Sequence, residues 1–293
     1  QLEQKAYANL TTLTELTSGQ IENWLAEQRG DGMVLATDVA FSSQVERLLQ
    51  HQISTLRSKP VLEKFDSLRT AYGYDSILLL GTNGSLHLAL GDRTGVPSEL
   101  QAVLRQALSS RQVRRSNLYA DPSGRMQLDW VVPIRAPGSF GDPVAAVVLR
   151  VRPERFLFPL IQSQPATSSS GENLLVRREK DAALYLSPLR NEQGAMPNLR
   201  WPSGNNALPA VAVIGRNEPG TMQGWDYRGA VVLAAHRPVT GTDWHLIAKV
   251  DRSEVLKPLY TLVFWIGLTA FVAMFAVGTA IVRLWRQQRR LYH

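Results

Sequence analysis

From Leu259 to Val282 the chain runs through 24 residues without a charge, LYTLVFWIGLTAFVAMFAVGTAIV. A helix of that length rises about 36 Å, enough to cross a hydrocarbon core of about 30 Å with some tilt. Soluble helices seldom stay apolar on every face for so long. Arg283, Arg286, Arg289 and Arg290 follow at once, whereas Asp251, Arg252, Glu254 and Lys257 before the span cancel. That imbalance predicts a cytoplasmic C-terminus and puts residues 1–255 outside the inner membrane, in the periplasm. Tyr260, Trp265 and Trp285 fall where interfacial aromatic belts are expected.

The net charge of +7 has to be read with this tail in mind, because four of the positive charges lie in the last eleven residues. What remains is nearly neutral, which argues against nucleic acid as a partner. The chain has no cysteine, so disulfides, thiolate metal sites and cysteine nucleophiles are excluded. It starts at Gln1 with no signal-peptide pattern, and a fragment with a first membrane helix just upstream is expected.

Leu2, Ala6, Leu10, Leu13, Leu16, Ile21, Trp24 and Leu25 recur at spacings of mostly three and four, which predicts a helix over 1–28. Two further helices are expected over about Met33–Leu49 and Pro60–Ala71. Then the pattern changes. Tyr74–Leu80 and Ser85–Leu90 flank Gly81-Thr-Asn83-Gly84 as a hairpin. Pro97 opens a helix to about Ser109, and strands are expected over Val113–Tyr119, Gln127–Arg135 and Pro143–Val151. A short helix runs from Pro153 to before Pro165.

Residues 163–171, SQPATSSSG, read as a linker. A similar order then returns: strands over Asn173–Arg178, Ala182–Ser187, Thr221–Tyr227, Ala230–Arg237 and Trp244–Val250, the first two joined across Glu179-Lys180-Asp181. Pro159 and Pro258 are 99 residues apart, and Pro133 and Pro238 are 105 apart. Repetition in the same order predicts a structural duplication. The fold class expected is α+β: a long N-terminal helix, two PAS-like antiparallel-sheet modules and a C-terminal transmembrane helix. The boundaries expected are 1–32 for the stalk helix, 33–162 for the membrane-distal module, 163–255 for the proximal module and 256–293 for the span and tail.

FLFPLIQSQPATSSSGENLLVRREKDAALYLSPLR (156–190) and GWDYRGAVVLAAHRPVTGTDWHLIAKVDRSEVLKPL (224–259) resemble the extracytoplasmic double-CACHE, or tandem PAS-like, sensor family. The resemblance covers nearly the whole extracytoplasmic part. It implies the sensor region of a bacterial transmembrane receptor whose cytoplasmic output is a GGDEF/EAL (cyclic-di-GMP) or histidine-kinase module. It also implies that the membrane-distal unit holds a small-molecule ligand and that the proximal unit relays. The amino-acid-binding subset carries an Arg-x-Trp-Tyr run, which the comparable stretch SSRQVRRSNLYADPSGRMQLDW lacks, so an amino-acid ligand is not implied.

No hydrolase, zinc-protease, phosphate-loop or calcium-loop motif is present, and the five histidines, His51, His87, His236, His245 and His293, do not stand at metal-ligand spacings. No cofactor is implied, and the fragment carries no catalytic motif. A ligand pocket needs an apolar wall and a few convergent polar groups. The candidates are Tyr72, Tyr74, Tyr119, Asp121, Asp129, Trp130 and Arg135. Asp129 and Arg135 have the same parity on one strand, with Trp130 facing the other way among Leu128 and Val132.

Asp251-Arg-Ser-Glu254 matches a capping box at the start of the last helix, and Pro258 suggests a kink soon after. Ala276 and Ala280 form a small-xxx-small surface that favours a homodimer through the span. The sensor reading therefore has as partners a small molecule or periplasmic protein, the membrane and a second copy of the chain. The competing reading is a non-signalling envelope protein that holds a partner through the tandem fold.

Overall fold

The computed structural model describes residues 1–50, 55–92, 95–138, 141–162, 168–180, 182–190, 200–202 and 218–291. His51, His293, Asp181 and the first part of the 163–171 linker lie outside them. The architecture is α+β, with a long N-terminal helix, two antiparallel sheets and one C-terminal apolar helix.

Helix α1 (Leu2–Thr37) runs longer than the periodicity predicts and absorbs the start of the expected second helix. It stops at Asp38, whose backbone turns extended (ψ 98°) and whose carboxylate accepts from the Phe41 amide at 3.0 Å. Asp38 thus ends α1 and caps α2 (Val39–Gln50). Helix α3 is Thr55–Tyr72, with Pro60 inside it rather than at its start. Gly32 lets α1 lie close on the first sheet: a Cβ there would sit 3.1 Å from Val113 Cγ1 and from Val132 Cγ2.

The first sheet contains β1 (Ser76–Gly81), β2 (Leu86–Leu90), β3 (Arg114–Arg115), β4 (Tyr119–Ala120), β5 (Met126–Arg135) and β6 (Pro143–Val151). Its order is β2-β1-β6-β5-β3, with β4 also on β5. The single strand expected over Val113–Tyr119 is two short pieces. Between them Ser116 turns its hydroxyl to accept from the Asp129 amide at 2.9 Å, a side-chain bond in place of a ladder bond. Helix α4 (Ser98–Ser110) covers one face through Leu100, Leu104 and Ala107 against Leu78, Leu80, Val131, Ala146 and Val148. Helices α1, α2 and α3 cover the other, against Ile77, Leu79, Trp130, Val132, Val147 and Leu149.

A turn of 3-10 helix (Pro153–Arg155) and α5 (Leu157–Gln162) lead to the second sheet. It contains β7 (Glu172–Glu179), β8 (Ala182–Tyr185), β9 (Arg200–Pro202), β10 (Gly220–Trp225), β11 (Val231–Pro238) and β12 (Trp244–Asp251), ordered β10-β11-β12-β7-β8-β9. Without β9, which no sequence signal announced, this repeats the first order: hairpin, last strand, the strand before it, an edge piece. The same turn also recurs 105 residues on. Asp121 N donates to Arg125 O and Gly124 N to Asp121 O; Asp226 N donates to Ala230 O and Gly229 N to Asp226 O. Gly124 (φ 82°) and Gly229 (φ 75°) supply the left-handed residue of each turn.

Helix α1 spans both sheets. Its N-terminal half packs through Leu10 on Leu233, Ala235 and Ala248, and Trp24 stacks on Phe156 at 5.3 Å. Helix α6 (Arg252–Leu291) leaves β12 directly and continues through Pro258 without a break. It is the one helix among the described residues that is long and apolar enough to cross a membrane, and none of its apolar stretch is buried.

Candidate functional site

Asp129 and Gln127 of β5 have the parity of Val131, and Arg150 and Ser76 have the parities of Val148 and Leu78. All four therefore belong to the α4 face of the sheet, beyond the apolar patch that α4 covers. Asp129 faces Arg150 in register, and both are fully buried. The guanidinium is bidentate: Nε donates to Asp129 Oδ1 at 2.8 Å and Nη2 to Oδ2 at 3.0 Å. Tyr119 from β4 donates to Asp129 Oδ2 at 2.5 Å and accepts from Arg150 Nη2 at 3.1 Å. Its hydroxyl also lies 3.2 Å from Gln127 Oε1. Gln127 Nε2 donates to Asp121 Oδ2 at 3.1 Å.

Asp121 anchors the turn into β5. It accepts from the Ser123 and Arg125 amides at 2.8 and 2.9 Å, from the Ser123 hydroxyl at 2.6 Å and from Arg125 Nε at 2.9 Å. Arg125 in turn pairs with Asp92. Burial alone would raise the Asp121 pKa, but the Ser123 and Arg125 donors overcome it and hold the group near 2. Burial pushes the Tyr119 hydroxyl up, and the Asp129 charge adds to it. Burial alone would lower the Arg150 pKa; the bonds and charge of Asp129 outweigh that and raise it. Tyr119 keeps its proton and Arg150 its charge at physiological pH, so the site suits recognition rather than proton transfer. The Ser76 hydroxyl, buried on the same face and opposite Arg150 in register, has no hydrogen-bond partner among the described residues.

Three of the residues singled out from the sequence, Tyr119, Asp121 and Asp129, meet in this network. The others do not. Tyr72 is exposed. Tyr74 lies in the core against α1, where its hydroxyl reaches Asp31 at 3.4 Å. Trp130 packs on the opposite face of the sheet. Arg135 stands six residues from Asp129, about 20 Å along a strand, and a register shift between Ile134 and Arg135 breaks the parity that would place the two on one face. Arg150, Gln127 and Ser76 were missed. Arg150 had a signal: a lone charge inside VAAVVLRV, at an inward position of a buried strand.

The second sheet carries a counterpart. Lys249 on β12, facing away from α1, is buried and pairs with Glu172 at 2.8 Å and Asp226 at 2.6 Å. Tyr227 donates to Glu172 at 2.9 Å, and its ring lies 4.3 Å from the ammonium. Arg228 pairs with Asp226 at 2.7 Å and with Asp251. Among the described residues no group of three or more His, Asp or Glu could hold a metal ion.

The connection to α6 differs from the expected capping box. Glu254 does not reach back to Asp251. Its carboxylate accepts from the amides of Ser169 (3.0 Å) and Ser170 (2.8 Å), from the Ser169 hydroxyl at 3.1 Å and from the Ser170 hydroxyl. The Ser170 hydroxyl also accepts from the Asp251 amide at 3.0 Å. Asp251 is drawn off by Arg228. The first turn of α6 is thus tied to the segment between the two sheets. Arg252 Nε donates to Glu3 Oε1 at 2.7 Å and ties it to the start of α1.

No family model matches this chain, and no curated protein matches it in sequence. Solved structures do share its fold. The ligand-binding domain of the Campylobacter jejuni chemoreceptor Tlp3, in complex with 4-methylisoleucine, aligns with a TM-score of 0.63 at 15% identity, covering 89% of this chain and 96% of that one. The ligand-binding domain of the Pseudomonas aeruginosa PAO1 amino acid chemoreceptor PctB, in complex with L-Arg, aligns at 0.57 and 17% identity, covering 86% and 97%. The extracellular domain of the putative histidine kinase soHK1S-Z6 aligns at 0.60 and 12% identity, covering 88% and 98%. The chain has the fold of the extracellular ligand-binding domains of chemoreceptors and histidine kinases, joined to one apolar helix.

Proposed function

We propose that this chain is the extracytoplasmic sensor region of a membrane receptor, built as a double-CACHE pair of PAS-like modules (33–162 and 163–255) behind a stalk helix. A small molecule binds in the membrane-distal module, on the α4 face of its sheet beside Tyr119, Asp129 and Arg150. The observation that carries this reading is the position of that polar network. It is buried on a sheet face where α4 leaves off, and beside it the Ser76 hydroxyl is unmet. A ligand offering a hydrogen-bond acceptor to Ser76 or Arg150 recovers part of what burying them costs. An amino-acid ligand is disfavoured because SSRQVRRSNLYADPSGRMQLDW lacks the Arg-x-Trp-Tyr run of the amino-acid-binding subset.

The proximal module relays the change through Glu254 into α6, which crosses the inner membrane with its C-terminus in the cytoplasm, as a homodimer. The output is a histidine kinase or a cyclic-di-GMP enzyme. A second reading, a non-signalling envelope protein, is favoured by one fact: every charged group of the distal network already has a partner. Thermal-shift screening of the detergent-solubilised chain against small metabolites separates the two. A sensor gains about 2.7 kcal/mol from a ligand at 100 times its Kd. A flat response across the library supports the second reading.

A further inference from the structure

A cleft of about 700 Å³ lies where the two sheets meet, lined on one side by Glu99, Gln106, Arg115 and Asn117 and on the other by Arg177 and Glu179. Tyr119 lines it too, so the cleft borders the Asp129–Arg150 network at that residue. The size of the cleft suits a small organic molecule.

Two guanidinium groups dominate its wall. Arg115 lies largely buried with its charge 4.5 Å above the Trp244 ring, so the first sheet's edge rests on the second sheet's last strand. Its one hydrogen bond among those resolved goes to the neighbouring Ser116 carbonyl, at 3.1 Å. Arg177 is mostly buried and has Glu179 at 3.7 Å, beyond hydrogen-bond reach. With its amide oriented to suit both neighbours, Asn117 accepts from Arg177 Nη1 and donates to Asp243 Oδ1, each at 3.3 Å. Burial lowers the Arg115 pKa to about 10; Asp243 opposes that fall, and Arg177 adds to it. The two cations therefore repel each other across a concave, partly dry surface, and among the described residues no carboxylate lies within hydrogen-bond distance of either. A planar carboxylate matches guanidinium forks and relieves that repulsion.

We propose that this seam is a second binding site, for a small organic carboxylate held by Arg115 and Arg177, and that occupying it clamps the first sheet onto the second. Glu99 and Gln106 on the α4 wall favour a carboxylate whose far end donates hydrogen bonds, such as an amino or hydroxy acid. The cleft shares Tyr119 with the distal pocket, and Arg177, which the distal network does not use, tells the two sites apart.

The test uses the solubilised chain and three probes: succinate, aspartate and inorganic phosphate. Calorimetric titration should show succinate or aspartate binding at one site per chain. Arg177→Gln should weaken it tenfold or more, while Arg111→Gln, an exposed arginine paired with Asp142, should leave it unchanged. Binding should also shift tryptophan emission, and Trp244→Phe should abolish the shift without abolishing the heat of binding. Arg177→Lys, which keeps the charge but not the fork, should fall between wild type and Arg177→Gln. Absence of carboxylate binding overturns the proposal. So does binding that Arg177→Gln does not weaken, or phosphate binding as tight as that of either carboxylate.

Discussion

Arg150 and Lys249 stand 99 residues apart and hold the same place in the two sheets. Each lies on the last strand of its sheet, on the face away from α1, fully buried and paired with acids. Each is flanked by a turn built on an aspartate, Asp121 or Asp226, that caps its own loop. Buried ion pairs like these do not repay their desolvation as well as apolar packing would. Their repetition is the physical sign that both sheets keep a buried polar cluster on the same face.

Breaking one partner should cost far more than removing both. Arg150→Met leaves Asp129 buried without its counter-charge and should lose about 3–5 kcal/mol of stability. The double change Arg150→Met with Asp129→Leu should recover most of that loss. Chemical denaturation of wild type and the two variants checks it; equal losses for the single and double changes would show that the pair does not act as a unit.

Acid below about pH 4 should loosen the distal turn. Asp121 has its pKa depressed from an ordinary 3.8 to about 2, so its contribution is complete above about 4 and is lost as pH falls toward 2. Asp121→Asn should flatten the stability profile in that window and lower stability at neutral pH. An unchanged slope between pH 4 and 2 would contradict the assignment.

Glu254 ties the inter-sheet segment to the first turn of α6. Replacing it with alanine strands the Ser169 and Ser170 donors and should cost about 1.5–3 kcal/mol locally. Amide exchange at Ser169 and Ser170 should speed up, with β1 and β6 unaffected. Faster exchange throughout the first sheet would mean that the carboxylate supports the whole fold rather than the connector.

The sequence made the architecture legible where periodicity was strong. The alternating Leu86, Leu88 and Leu90, the uncharged run before Arg283 and the repeated Pro-Leu endings placed the elements to within a few residues. It was less informative where side chains replace backbone bonds. Ser116 splits an expected strand, Asp38 moves a helix boundary, and Glu254 abandons its local cap for serines 84 and 85 residues away. Such choices depend on tertiary partners that no local pattern records. Half of the candidate site was legible for the same reason. Asp129 and Tyr119 stood out as polar groups near a strand; Arg150 was visible as a lone charge in VAAVVLRV, but its pairing with Asp129 required knowing which strand neighbours β5.

Dimerisation through α6 should depend on its small-residue surface. Ala276→Leu widens the closest approach of two helices and should reduce cross-linking in native membranes several-fold. A fusion placed after His293 should report from the cytoplasm, given the arginines that follow the span. Unchanged cross-linking in Ala276→Leu would put the contact elsewhere, and a periplasmic report would reverse the orientation.

The central claim is that the α4 face beside Asp129 and Arg150 is where the ligand binds. The most direct measurement is a thermal-shift titration of the best-stabilising metabolite against wild type and the Arg150→Met, Asp129→Leu double variant. Wild type should be stabilised, and the double variant, folded and of similar melting temperature, should bind at least tenfold more weakly, a loss of about 1.4 kcal/mol or more. Equal affinity in the two proteins would contradict the claim and leave the buried pair as a structural element.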